Sequence, residues 1–337
     1  GEGEGEGEGE GEGEGEGDGE GEGEGEIEGA EGEGEGEGEG EGEGEGEGEG
    51  EPIIYAVGIR DITYVDASRG RQIPTKVYYP ADSPGSGVPI SSAGPAFPVV
   101  VFGHGFQIGI GAYSYLWQQL VPAGYIVAMV DTENALFPNH GDFGKDLAHV
   151  GARLLAANSE PDAPFFGRVA GAAGVMGHSM GGGASFLAAA EPGSVFDTVV
   201  GLAPAETSVS AIAAAATIST PSLILEGGRD NVTPSAGNSG AMFDALPADC
   251  NYLVTVANGS HCAFAVNSTA CQLGETFVCF RCDFLDAAVQ RAHTMALVVP
   301  WLDSVLKTIP GASVRFNLEL ESGASTGAHS YTGNCAF

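Results

Sequence analysis

A serine at 179, an aspartate at 230 and a histidine at 261 are the three residue types that nucleophilic catalysis by a serine combines. A serine hydroxyl is a poor nucleophile at neutral pH. A base must take its proton, and that base needs a partner to orient it. Ser179 lies in Gly177-His178-Ser179-Met180-Gly181-Gly182-Gly183, which contains the pattern G-x-S-x-G. A small, apolar run from Val169 to Met176 leads in, and a small-residue run from Ala184 to Ala190 leads out. A strand, a sharp turn and a helix would set Ser179 on a strained backbone. Glycines two positions to either side would then spare the neighbouring strand and helix a Cβ collision.

Among the seven histidines, order and setting select the base. His104, His140 and His149 precede the serine. His178 adjoins it, and its side chain must point elsewhere than the nucleophile's. His293 falls in a helical pattern and His329 in a polar tail. His261 follows the apolar run Tyr252 to Val256 through Asn258-Gly259-Ser260, a turn that projects it over a sheet edge. Acids between serine and base include Asp197, Glu206, Glu226, Asp230, Asp244 and Asp249. Asp230 alone follows a complete apolar strand, Pro221 to Leu225, through a Gly-rich turn. Two backbone N–H groups should hold the oxyanion: that of Met180, after the nucleophile, and that of Phe106, in the His104-Gly105-Phe106 turn after the apolar run Phe97 to Phe102. Phe106 and His178 are also the candidate substrate-binding residues.

The elements that must position these groups follow from pattern. Val57 to Val65 and Gln72 to Tyr79 alternate apolar and polar residues, as in a hairpin. Phe97 to Phe102 and Tyr125 to Val130 are short continuous apolar runs, as in strands buried on both faces. Helical spacing marks Tyr113 to Val121, Phe143 to Ala157, Gly240 to Leu246 and about Phe284 to Leu306, the last containing Pro300. Ser208 to Ile218 reads as helix or loop, and Val195 to Leu202 as a strand. Strand and helix alternate from Phe97 onward. The expected class is α/β, with a mostly parallel central sheet and helices on both faces. Sites in such sheets gather at the carboxyl ends of strands, where Phe106, Ser179, Asp230 and His261 all fall.

Composition separates two regions. Residues 1–51 are a Gly-Glu repeat broken by Asp18, Ile27 and Ala30, with 25 acids and no Lys or Arg. The chain carries −35, so −10 remains for residues 52–337. The repeat cannot bury a core and is expected to be a disordered, solvated tail, with cation capture as its alternative use. Residues 52–337 have the length of one α/β domain. That acidic body offers no basic stripe for nucleic acid, and no apolar run reaches membrane-span length. No charged and apolar leader begins the chain, so a signal peptide is expected to be absent or removed. Six cysteines, at 250, 262, 271, 279, 282 and 335, suit a disulfide framework in a secreted or periplasmic protein. Fifteen pairings are open, and Cys279-Phe280-Arg281-Cys282 leaves a metal site as the rival reading.

The runs Gly177 to Gly183, Asp230-Asn231-Val232-Thr233-Pro234 and Gly259-Ser260-His261, with Tyr125 to Thr132, resemble the secreted cutinase-like polyesterases. That family includes the bacterial poly(ethylene terephthalate) hydrolases. The resemblance covers most of residues 55–310. It implies an α/β-hydrolase fold, the triad Ser179, Asp230 and His261, and oxyanion donors Phe106 and Met180. It also implies an open cleft for bulky acyl esters, without a cofactor. Three departures stand out. Phe106 replaces a usual Tyr. Leu202-Ala203-Pro204-Ala205-Glu206-Thr207 lacks the usual Trp, removing one aromatic wall. Gly227 and Gly228 stand where the family has a cysteine beside the acid. The expectation is a monomeric serine esterase on ester or polyester substrates. The alternatives are a chlorophyllase-like or lipase-like esterase, and a non-catalytic binding module that uses the acidic tail.

Overall fold

The computed structural model describes residues 53–247, 250–266, 268–278 and 282–335. The Gly-Glu repeat lies outside them. Among the described residues are the strands β1 (Ala56–Asp66), β2 (Arg71–Ala81), β3 (Gly85–Ser86), β4 (Phe97–Gly103), β5 (Ile126–Val130), β6 (Val169–His178), β7 (Thr198–Leu202), β8 (Ser222–Gly227), β9 (Cys250–Val256) and β10 (His329–Cys335). The helices are α1 (Ser114–Leu120), α2 (His140–Ala157), α3 (Met180–Ala189), α4 (Ala211–Ala215), α5 (Ser239–Ala245), α6 (Thr269–Val278), α7 (Ala287–Leu306) and α8 (Ala312–Thr326).

The strands form one sheet in the order β10-β9-β8-β7-β6-β4-β5-β2-β1-β3. From β9 to β5 every neighbour is parallel, while β2 joins β5, β1 joins β2 and β10 joins β9 antiparallel. The parallel centre explains the sequence. Every residue of β4, β5, β7 and β8 is buried, because helices cover both faces. The outlying β1 alternates between half-buried and exposed positions. On one face Phe143, Leu147, Met180, Phe186 and Met242 pack from α2, α3 and α5. On the other, Leu116, Met295, Trp301 and Phe316 pack from α1, α7 and α8. This is the layered arrangement of an α/β-hydrolase fold.

The sequence pattern does not anticipate three elements. α6 lies inside the cysteine-rich segment. α8 buries Ala312, Phe316, Leu320 and Gly323 on one face and is bounded by left-handed Gly311 and Gly327. β10 recruits His329 and the polar segment after it as an edge strand, where a short polar sequence suffices because only one neighbour must be met. The Cys250–Cys335 disulfide joins β9 to β10, and Cys262–Cys271 joins the segment after β9 to α6. Cys282 is also disulfide-bonded, which removes it as a thiolate ligand for the rival metal reading. Cys279 lies outside the described residues. α7 runs through Pro300. No described helix is long and apolar enough to cross a membrane.

Candidate active site

β6 ends at His178, and α3 begins at Met180, leaving Ser179 alone to reverse the chain at φ 55°, ψ −120°. That conformation costs an L-residue on the order of 1–3 kcal/mol and persists where its surroundings over-determine it. Here the surroundings are backbone. A Cβ on Gly181 would stand 2.2 Å from the carbonyl of Gly103, at the end of β4. Only glycine lets α3 start that close to the sheet. The strand–turn–helix expected from the glycine spacing is therefore present, with the serine at the strained turn.

Asp230 arrives from β8. Gly227, the last residue of that strand, packs on the loop after β9, and a Cβ there would meet the Gly259 carbonyl at 2.6 Å. The Arg229 N–H donates to the same carbonyl at 2.9 Å. Direct backbone contact thus fastens the acid-bearing loop to the histidine-bearing loop. Asp230 Oδ1 accepts the N–H groups of Val232 and Thr233, each at 2.8 Å. Its Oδ2 accepts the Thr233 hydroxyl at 2.9 Å and faces His261 Nδ1 at 2.7 Å. The other ring nitrogen, Nε2, faces Ser179 Oγ at 2.9 Å. Because the carboxylate only accepts, Nδ1 carries the ring proton and Nε2 accepts from the serine hydroxyl. The side chains of His261 and Asp230 are each 2% exposed. The three residues selected by order and setting form one hydrogen-bonded line, with serine and histidine 82 residues apart in sequence.

The loop after β4 is held firmly. His104 is buried, with its ring nitrogens at 2.9 Å from the Gly105 carbonyl and 2.8 Å from that of Thr132. The Gly105 N–H donates to the Tyr113 hydroxyl at 2.9 Å. Gln107, at φ 54°, donates to the carbonyls of Asn134 and Ala135. Phe106 sits between these anchors and is 45% exposed. Met180 opens α3, so its N–H belongs to the first helical turn, which has no carbonyl four residues earlier within the helix to bond.

His178 departs from its expected substrate-binding role. It is fully buried and spent on the protein itself. Its Nε2–H donates to the His261 carbonyl at 3.1 Å, and its Nδ1 accepts the Tyr113 hydroxyl at 2.9 Å. Burial first, and the nearby His261 second, hold its pKa well below the ordinary histidine range. A neutral ring is what this donor-and-acceptor pattern needs. The His178 ring meets the rings of Tyr113, His261 and Phe264.

Other partners were not legible in the sequence. Gln290 of α7 brackets Ser260, accepting its N–H at 2.9 Å and donating to its carbonyl at 2.8 Å. Glu275 of α6 accepts the His261 N–H at 2.6 Å. Thr233 had a visible cue, standing three residues after Asp230 where a hydroxyl returns to the acid. Glu275, Gln290 and Tyr113 had none, because only the fold brings them near.

A strained serine between strand and helix, on a mostly parallel sheet with Asp230 and His261 beyond the ends of neighbouring strands, defines an α/β hydrolase. Comparison with known proteins narrows this. The chain belongs to the PET hydrolase-like family, which matches residues 63–297. It is also 27% identical over 201 residues to a bis(hydroxyethyl) terephthalate hydrolase of Streptomyces coelicolor, covering 59% of this chain. The chain spans 60% of the length of that curated relative.

Proposed function

We propose that this protein is a secreted serine carboxylic-ester hydrolase that works through an acyl-enzyme on short-chain or bulky acyl esters, including small terephthalate esters and polyesters. The observation that carries the reading is the line Ser179 Oγ, His261 Nε2, His261 Nδ1, Asp230 Oδ2, at 2.9 and 2.7 Å, with the serine on a strained turn. Membership in the PET hydrolase-like family and the terephthalate-ester relative support the choice of substrate. The disulfides support an oxidising compartment.

In the first half-reaction, Ser179 Oγ attacks the ester carbonyl while His261 Nε2 takes its proton. The tetrahedral oxyanion turns to the N–H groups of Phe106 and Met180. One such donor contributes about 3–4 kcal/mol of transition-state stabilisation. His261 then gives its proton to the leaving alcohol. In the second half, water attacks the acyl carbonyl as His261 takes its proton, and the acyl–Oγ bond breaks as His261 returns that proton to Ser179 Oγ, releasing the acid. Asp230 keeps the Nδ1–H tautomer and steadies the imidazolium. Thr233 and two backbone N–H groups fix the carboxylate, so it does not rotate away as the ring charges. The exposed ring of Phe106 and the exposed side chain of Val232, beside the acid, offer an apolar rim for the acyl group.

The test is Ser179→Ala. Turnover of p-nitrophenyl butyrate should fall at least about a thousandfold, and labelling by a fluorophosphonate should vanish. Retained turnover in the variant discards the assignment.

A further inference from the structure

Behind His261 lies a buried acid that the mechanism above does not use. Glu275 is 4% exposed. Its carboxylate accepts the His261 N–H at 2.6 Å and also faces the Cys262 N–H and the Ser260 hydroxyl. All three are donors. An ionised carboxylate, with two oxygens and about four lone-pair sites, can accept all of them, whereas an amide offers one oxygen. Burial pushes its pKa above the ordinary carboxylate range, and the hydrogen bonds of His261, Ser260 and Cys262 pull it back. The helix that presents it is fastened to the same stretch, since the Cys262–Cys271 disulfide joins α6 to the residue after His261.

We propose that Glu275 is a positioning residue for the base: it grips residues 260–262 through the His261 and Cys262 N–H groups and the Ser260 hydroxyl, so that the imidazole keeps both Ser179 and Asp230 in reach. The inference rests on the hydrolase reading. His261 sits at φ −61°, ψ −52°, at the start of a short 3-10 turn. Its carbonyl is held by His178 and its N–H by Glu275. With the main chain fixed on both sides, the side chain needs only its own two torsions to find its partners. Without the carboxylate, the amide side of that grip is lost and the ring can drift from the 2.9 Å contact with Ser179. Misplacement by about 1 Å can cost on the order of a hundredfold in rate. The carboxylate also places negative charge near the imidazolium that forms during turnover.

Glu275→Met keeps the volume and removes the acceptors, while Glu275→Gln restores one oxygen. Both are measured against wild type and Ser179→Ala, with p-nitrophenyl butyrate turnover, fluorophosphonate labelling rate and thermal melting. The expected result is a fall in kcat of about 10- to 100-fold in Glu275→Met with KM within about twofold, a matching loss of labelling rate, and recovery by at least about threefold in Glu275→Gln. Wild-type kcat in Glu275→Met overturns the proposal. So does a loss expressed in KM, or a Glu275→Gln protein as slow as Glu275→Met. If Glu275→Met does not fold, Glu275→Asp, which draws the carboxylate back by one methylene, is read the same way: lower kcat at unchanged KM supports the role, and wild-type kcat overturns it. A wild type that labels while Ser179→Ala does not keeps the hydrolase reading intact whatever Glu275 does. A wild type that fails to label sinks that reading and this inference together.

Discussion

The two halves of the site are built differently. The serine half is local: β6, Ser179 and α3 follow one another within twenty-one residues, and contacts between backbone atoms set the serine's conformation. The histidine half is assembled from afar. His261 and its neighbour Ser260 are held by His178 from the end of β6, Glu275 from α6 and Gln290 from α7, with Asp230 from the loop after β8. A nucleophile needs one strained residue, and short-range sterics can impose it. A base must swing no further than a fraction of an ångström while gaining and losing charge, and this takes partners on several sides. One half therefore depends on the absence of side chains, and the other on the presence of particular ones.

The largest expected effect breaks the local half. Gly181→Val puts a branched side chain where even a Cβ lies 2.2 Å from the Gly103 backbone. We expect loss of soluble protein, or a melting temperature lowered by a cost above about 3 kcal/mol, with esterase activity gone. A well-folded, active variant would show that α3 can retreat from the sheet, and the contrast would fail. Next comes the distant half. Gln290→Leu leaves the buried N–H and carbonyl of Ser260 without partners, at about 1–3 kcal/mol for each group. The expected signature is a fold that survives with kcat down about tenfold and KM unchanged. A stability loss with wild-type kcat would make Gln290 a purely structural residue.

The smallest effect is graded by pH. Burial lowers the pKa of His178, His293 and His329 in the folded chain. The unfolded chain therefore binds more protons below the ordinary histidine value, near 6.5. Their contribution to stability is complete above that pH and is lost as pH falls through and below it. His293 Nε2 and His329 Nδ1 lie 2.7 Å apart, and His329 Nε2 donates to the Leu320 carbonyl, so charging both rings would set two N–H groups against each other. Denaturant melts between pH 7.5 and 5 should show stability falling toward acid, and His329→Gln should flatten that slope by up to about 1.4 kcal/mol per pH unit. An unchanged slope in the variant would remove β10 and its histidine from the pH response.

The amino-acid order by itself determined the alternation of strand and helix, the glycine-framed turn at Ser179, and the choice of Asp230 and His261 by their places after apolar strands. Those features depend on neighbours in sequence: a period of two or of 3.6, a run apolar enough to be buried on both faces, a position that tolerates no Cβ. The tertiary structure decided the rest. It turned His178 inward, onto the His261 carbonyl. It made an edge strand of a polar C-terminal segment, paired Cys250 with Cys335 and Cys262 with Cys271, and carried Glu275 and Gln290 to the back of His261. A buried hydrogen bond joins a donor and an acceptor without regard to their separation along the chain, so no spacing in the sequence announces it.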